Sequence, residues 1–183
     1  MSATVSINAL NGTYAVDADH STAAFAVRHM GISTFRGSFA GMSGSVGSDE
    51  QGRPVITGSV PVEGVSVKSP IDLRTHLLGE DFFDAQRHPQ ITFAGQPADL
   101  TTDGTITVEG DLTMRNVTRR VVATGSWTAP IEDPFGGVRA AIELKTTVDR
   151  RDYGMTWNMP LPKGGDALGN QVELTVHLEL VAA

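Results

Sequence analysis

Gln171-Val172-Glu173-Leu174-Thr175-Val176-His177-Leu178-Glu179-Leu180-Val181 alternates apolar and polar side chains without a break. A period of two belongs to extended backbone, so Val172, Leu174, Val176, Leu178 and Leu180 share one face, and Glu173, Thr175, His177 and Glu179 share the other. Such a strand has one dry and one wet surface, as a sheet closed on itself requires. The pattern recurs toward the amino terminus. Residues 138–148 set Ala140, Ile142, Leu144 and Val148 against Glu143 and Lys145, and further runs occupy 121–128, 110–114, 105–108 and 91–93. Asp103-Gly104 is a turn signal between two of them. Near the start, Ala23, Phe25 and Val27 form the larger apolar face of residues 21–30, and residues 13–16 alternate as well. Phe35, Gly37, Phe39 and Gly41 share a face, which suggests a strand sharply bent or lined with gaps. Residues 55–67 are strand-like but contain Pro61, which suits an edge or a bulge. These runs predict an all-β fold, a single closed antiparallel barrel of about eight strands.

One stretch breaks the rhythm. Leu73, Leu77 and Leu78 follow helical spacing, Ser69-Pro70 reads as an N-cap followed by Pro at the first helical position, and Gly79 reads as a stop. A second short turn is expected at Glu80-Asp81-Phe82-Phe83-Asp84. One helical insertion near residues 70–84 is therefore predicted. No internal repeat or linker divides the chain, which reads as one domain over residues 12–183 after a flexible segment, residues 1–11.

The 183 residues carry 14 Lys+Arg against 21 Asp+Glu, a net charge of −7, and no cysteine. Disulfide scaffolds, zinc ribbons and cysteine nucleophiles are excluded. The acidic balance argues against nucleic acid as a partner, which needs cations against its phosphates. No run approaches the roughly 18 apolar residues of a membrane-spanning helix. The first ten residues have no basic region, apolar core or cleavage site, so a cytoplasmic location is the expectation.

Catalytic chemistry is hard to find. His20, His29, His76, His88 and His177 show no metal-ligand spacing among themselves. Asp17-Ala18-Asp19-His20 reads either as a turn, with Asp19 hydrogen-bonding its own backbone, or as a carboxylate–histidine cluster. No nucleophile elbow, SxxK motif or phosphate loop is present. No metal or cofactor is expected. Phe25, Phe35, Phe39 and Phe93 instead gather on inward faces with the small residues Ala23, Gly37, Gly41 and Ala140. They form either an ordinary core or the wall of a lumen with room for an apolar ligand.

Several segments in order resemble the YceI family of lipocalin-like, lipid-binding barrels. They are Asp17-Ala18-Asp19-His20-Ser21 running into residues 25–30 and 35–39, then His76-Leu77, Asp81-Phe82-Phe83-Asp84 and residues 88–93. Residues 110–113 with Val117-Thr118 follow, then residues 133–140, 149–154 and Trp157-Asn158. Asn116 stands where the family usually has Gly, and both residues tolerate a left-handed turn. Phe135 replaces a common Trp, Asn170 a common Asp, and many members place an Arg three residues before His76. The resemblance implies a barrel, often dimeric, that holds a long isoprenoid or fatty-acyl chain without catalysis. The alternative from the residues is a small barrel enzyme, an isomerase or hydrolase, with His29 or His76 as base.

The ligand-binding set expected on these grounds has three groups. Phe25, Val27, Phe35, Phe39, Phe83, Phe93 and Leu112 supply hydrocarbon. Ala140, Ile142, Leu144, Tyr153 and Trp157 continue the wall. His29, His76, Arg139 and Asn158 stand near strand ends or turns as polar groups at the mouth. Arg139 is the leading one, because it follows a glycine turn. Ala140 is expected to leave room for lipid, so that Ala140→Trp folds but comes away empty.

Overall fold

The computed structural model describes residues 12–67 and 70–183. The segment 1–11 expected to be flexible, and Ser69 of the expected N-cap, lie outside them. The strands in chain order are β1 (Tyr14–Val16), β2 (Thr22–His29), β3 (Ser33–Phe39), β4 (Ser43–Ser48), β5 (Pro54–Pro61), β6 (Gln90–Leu100), β7 (Thr105–Met114), β8 (Val117–Glu132), β9 (Val138–Asp149) and β10 (Leu168–Ala182). One α-helix, α1 (Ile71–Leu78), and two 3-10 turns, Val62–Gly64 and Arg150–Tyr153, interrupt them.

All ten strands join one antiparallel sheet, ordered β1-β4-β5-β6-β7-β8-β9-β10-β2-β3. Tyr14 of β1 pairs with Val46 on one side and Ala182 on the other, which closes β1 and β4 to β10 into an eight-stranded barrel. β2 lies on the same edge of β10 as β1, further along it, with Val172↔Val27 and Val176↔Ala23 opposed. β3 pairs with β2. Its other edge is covered by the chain leaving β5: Ala40 N–H donates to Gly64 O at 2.9 Å and Ser66 N–H to Ser38 O at 2.7 Å.

Local chemistry explains the connections. Arg115 and Asn116 hold φ of 51° and 60°, so β7 and β8 meet in a two-residue turn of the primed kind, and Asn suits it. Pro61 does not mark an edge, because β5 pairs with both β4 and β6; it ends the strand, and the 3-10 turn follows. α1 starts one residue later than predicted, with Pro70 as extended N-cap and Ile71 as its first residue. Gly41 leaves the strand face assigned to it: it sits at φ 77° in the turn after β3. Among the described residues, no helix is long and apolar enough to cross a membrane.

The barrel has two unlike ends. At one, Tyr14, Val46, Leu100, Ile106, Ile142 and Leu180 are packed at 0–4% exposure. At the other, the β2–β3 turn, α1, the 3-10 turn Arg150–Tyr153 and the connection to β10 surround an interior that side chains do not fill.

Candidate functional site

The unfilled end holds a cavity of about 510 Å³. β2 and β3 supply Phe25, Val27, His29, Phe35 and Phe39, and α1 supplies Leu73, His76 and Leu77. Phe82, Phe83 and Ile91 follow from the next segment, and Leu112, Met114, Val148, Val172, Leu174 and Val176 from β7, β9 and β10. Met155, Trp157, Met159, Leu161 and Ala167 come from the connection between β9 and β10. A smaller space of about 140 Å³ lies deeper and shares Ala23, Val60, Ile91, Leu112, Leu174 and Val176 with the first. Four of the six methionines, Met30, Met114, Met155 and Met159, stand on the larger wall. Their unbranched side chains adapt to varied shapes.

An aromatic cluster frames the space. The Phe25 ring centroid is 6.1 Å from that of Phe35, 5.7 Å from Phe39 and 6.4 Å from Phe83, and Phe39 meets Phe83 edge-on at 5.4 Å. Nearer the mouth, His76 stands at 90° to Trp157, 4.6 Å away, and its Nε2 lies 3.0 Å from Asp81 Oδ2. The glycine gaps foreseen beside these rings do not enlarge the lumen. A Cβ on Gly37 would come within 2.5 Å of Phe25 Cζ, so the phenyl ring already covers that glycine. Phe93 does the same over Gly95 and Gly110.

Three of the 28 residues on the larger wall are polar: His29, His76 and Arg150. Arg150 is 4% exposed, and burial pulls its guanidinium below its ordinary pKa. Its Nη1 donates to Met155 O and Trp157 O at 2.6 and 2.8 Å, Nε to Gly169 O at 2.9 Å and Nη2 to Asn170 Oδ1 at 3.1 Å. It thereby ties the 3-10 turn, the β9–β10 connection and the start of β10 together.

The structure divides the sequence-predicted residues by depth. Phe25, Val27, His29, Phe35, Phe39, His76, Phe83, Leu112 and Trp157 stand on the wall of the larger cavity, and Phe93 and Leu144 on that of the smaller. Five stand on neither. Ala140 and Ile142 face inward as expected but belong to the packed end, where Ala140 opposes Leu180 and is 4% exposed. Asn158 turns to the backbone, accepting from Leu168 N and Met159 N at 2.9 Å and donating to Leu168 O at 2.8 Å.

Tyr153 lies behind the wall with Leu112, Met114, Val148 and Met155, at 1% exposure. Burial raises its hydroxyl pKa, and that hydroxyl has no hydrogen-bond partner among the described residues. Tyr153→Phe removes an unpaired buried group without leaving a hole. It is expected to keep the melting temperature or to gain up to about 1 kcal/mol of stability in urea unfolding. A clear loss would mean that the hydroxyl has a partner in solution.

Arg139 is the largest correction. The β8–β9 turn lies at the packed end, so Arg139 is far from the mouth and engages carboxylates instead. Its Nη1 is 2.9 Å from Asp17 Oδ2 and 2.5 Å from Glu179 Oε1, and its Nε is 3.0 Å from Asp133 Oδ2. Asp17, His20 and Glu179 offer metal-ligand atoms within 4.8 Å of one another, but the guanidinium already stands among them as their counter-charge. In the Asp17 turn it is Asp17, not Asp19, that accepts a backbone hydrogen bond, from Asp19 N.

The Arg139 guanidinium, helped by His20, holds the Asp17 carboxyl at about 2. A depressed folded-state pKa contributes stability above the unfolded value and loses it as pH falls through the folded one. Wild type should therefore lose stability between about pH 5 and about pH 2, and Arg139→Gln should flatten that limb. Urea midpoints across the window check this; parallel curves would refute it.

Arg150 was not foreseen. Arg150 and Arg151 are adjacent, and the sequence does not say which is buried. Arg151 ends outside, paired with Asp149 at 2.6 Å. Met155 and Met159 were also missed, since the β9–β10 connection they occupy has no periodicity.

The same barrel recurs in known proteins. Residues 14–180 match the model of the YceI-like domain. A UPF0312 protein of Ectopseudomonas mendocina is 30% identical over 158 residues, which are 85% of this chain and 83% of the relative. The crystal structure of a Campylobacter jejuni YCEI protein superposes with a TM-score of 0.70 at 18% identity, over 85% of this chain and 90% of the other. A polyisoprenoid binding domain from Saccharophagus degradans, implicated in plant cell wall breakdown, superposes with a TM-score of 0.62 at 13% identity, over 93% and 98%. With its domain model matched across nearly the whole barrel, the chain belongs to the YceI family.

Proposed function

We propose that the protein binds and carries a long-chain apolar lipid, of isoprenoid or fatty-acyl type, in its lumen without transforming it. The single observation that carries this reading is the cavity: about 510 Å³ behind a wall in which all but three residues are apolar. Burying a hydrocarbon chain gains roughly 0.8 kcal/mol per CH₂, so about twelve such groups supply around 10 kcal/mol before the costs of binding. The polyisoprenoid binding domain that shares the fold supports the chemical class. Carriage is favoured over turnover because the larger wall includes no Ser, Thr or Lys as a nucleophile, and the carboxylate that its His76 meets, Asp81, is exposed.

The test is organic extraction of the purified protein followed by mass spectrometry, with the extract returned to delipidated protein. An unchanged long-chain lipid, recovered stoichiometrically and bound again, is the expected result. The competing reading, a barrel hydrolase or isomerase, makes a different prediction: ester or pyrophosphate substrates would turn over in wild type and cease to in His29→Gln or His76→Gln. No turnover is expected in any of the three proteins.

A further inference from the structure

The polar side chains of the larger wall, His29, His76 and Arg150, are all basic, and no Asp or Glu stands there. Arg150 is the fixed charge among them. A guanidinium has five N–H donors. Four of those of Arg150 are taken, by Met155 O, Trp157 O, Gly169 O and Asn170 Oδ1, and every one of these acceptors is neutral. Among the described residues no carboxylate lies within ion-pair distance. The two that act on Arg150 from further off are Asp149, which pairs with Arg151, and Asp166, which is exposed. Carbonyls satisfy directional demands but leave the charge unbalanced, and buried charges are ordinarily paired. Arg150 follows β9 at the mouth end, level with the β2–β3 turn and α1. A chain whose tail runs toward the deeper space therefore has its head beside it.

We infer that the lumen selects an amphiphile with a singly charged anionic head, a long-chain carboxylate, and that Arg150 is the residue that selects it. The inference rests on the carrier reading above and specifies its ligand. One unpaired cation in a dry wall balances one negative charge, whereas a diphosphate head would bring further charge into hydrocarbon surroundings uncompensated.

Matched probes test this on the delipidated wild-type protein: palmitate and hexadecanol, equal in chain length and differing in head, each titrated below its micelle-forming concentration. Palmitate is expected to bind roughly tenfold tighter or more, as a charge-assisted contact requires. Equal affinity, or a preference for the alcohol, would overturn the inference and leave the carrier reading intact. If neither probe binds, the inference falls, whereas an isoprenoid recovered by extraction would still uphold the carrier reading. Arg150→Gln should bring the two affinities within about twofold of each other by weakening palmitate alone. Because that variant also loses structural hydrogen bonds, carboxyl-labelled palmitate bound to wild type supplies an independent readout by carbon NMR. Beside an unpaired guanidinium its carboxyl titrates below that of the free acid, and in an apolar cavity without a cation it titrates above. An upward displacement would also overturn the assignment.

Discussion

Ala140→Trp is expected to unfold the barrel or to cost it more than about 3 kcal/mol, at or beyond the upper end of what overpacking does. Ala140 opposes Leu180 at the packed end, where Val46, Ile106 and Ile142 are 0% exposed. An indole there has nowhere to go except into its neighbours. Ala23→Trp carries the same added bulk to a different outcome. Ala23 stands on the wall shared by the larger and deeper spaces, so the indole fills space that a ligand would use. That variant should melt near wild type but yield little or no lipid on extraction. Melting temperature and mass spectrometry on both variants decide the matter. If Ala140→Trp melts like wild type, the packed end is not packed. If Ala23→Trp keeps full lipid occupancy, the ligand does not pass that point.

Arg150→Met should cost roughly 3–5 kcal/mol, seen as a lowered urea midpoint, although the substitution is nearly isosteric along its stem. The loss comes from what the guanidinium leaves behind. Met155 O loses its donor in a buried place, and Trp157 O, Gly169 O and Asn170 Oδ1 lose theirs in partly buried ones. Arg150→Lys should recover only part of it, because one ammonium cannot span three elements as a planar fork does. By contrast Arg151→Met, which removes an exposed partner of Asp149, should cost under about 1 kcal/mol. Equal effects at the two positions would show that the Arg150 network is not a staple.

Much of this molecule was legible in the sequence because strand patterning is local. The alternation in residues 171–181 correctly assigned Val172, Leu174, Val176, Leu178 and Leu180 to the inside and His177 to the outside, where it pairs with Glu143 at 3.2 Å. The helical insertion and the left-handed turn at Asn116 were legible for the same reason: each depends on neighbours a few residues away.

Depth was not legible. On β9, Ala140 and Ile142 are packed, Leu144 borders the deeper space and Val148 the larger one, although all four obey one alternation. A period of two states which face a residue takes but not how far along the barrel it lies. That is decided by how eight strands tilt and stagger, and by where side chains from distant segments meet. Charge partners follow the same rule. Arg139 was placed at a mouth on the strength of its glycine turn, yet its partner Asp17 is 122 residues away in sequence. Sequence alone therefore determined strand, face, turn and family. Only the tertiary structure decided which end is filled, which arginine is buried, and which phenyl rings cover the glycines, because each follows from contacts between segments that chain order does not bring together.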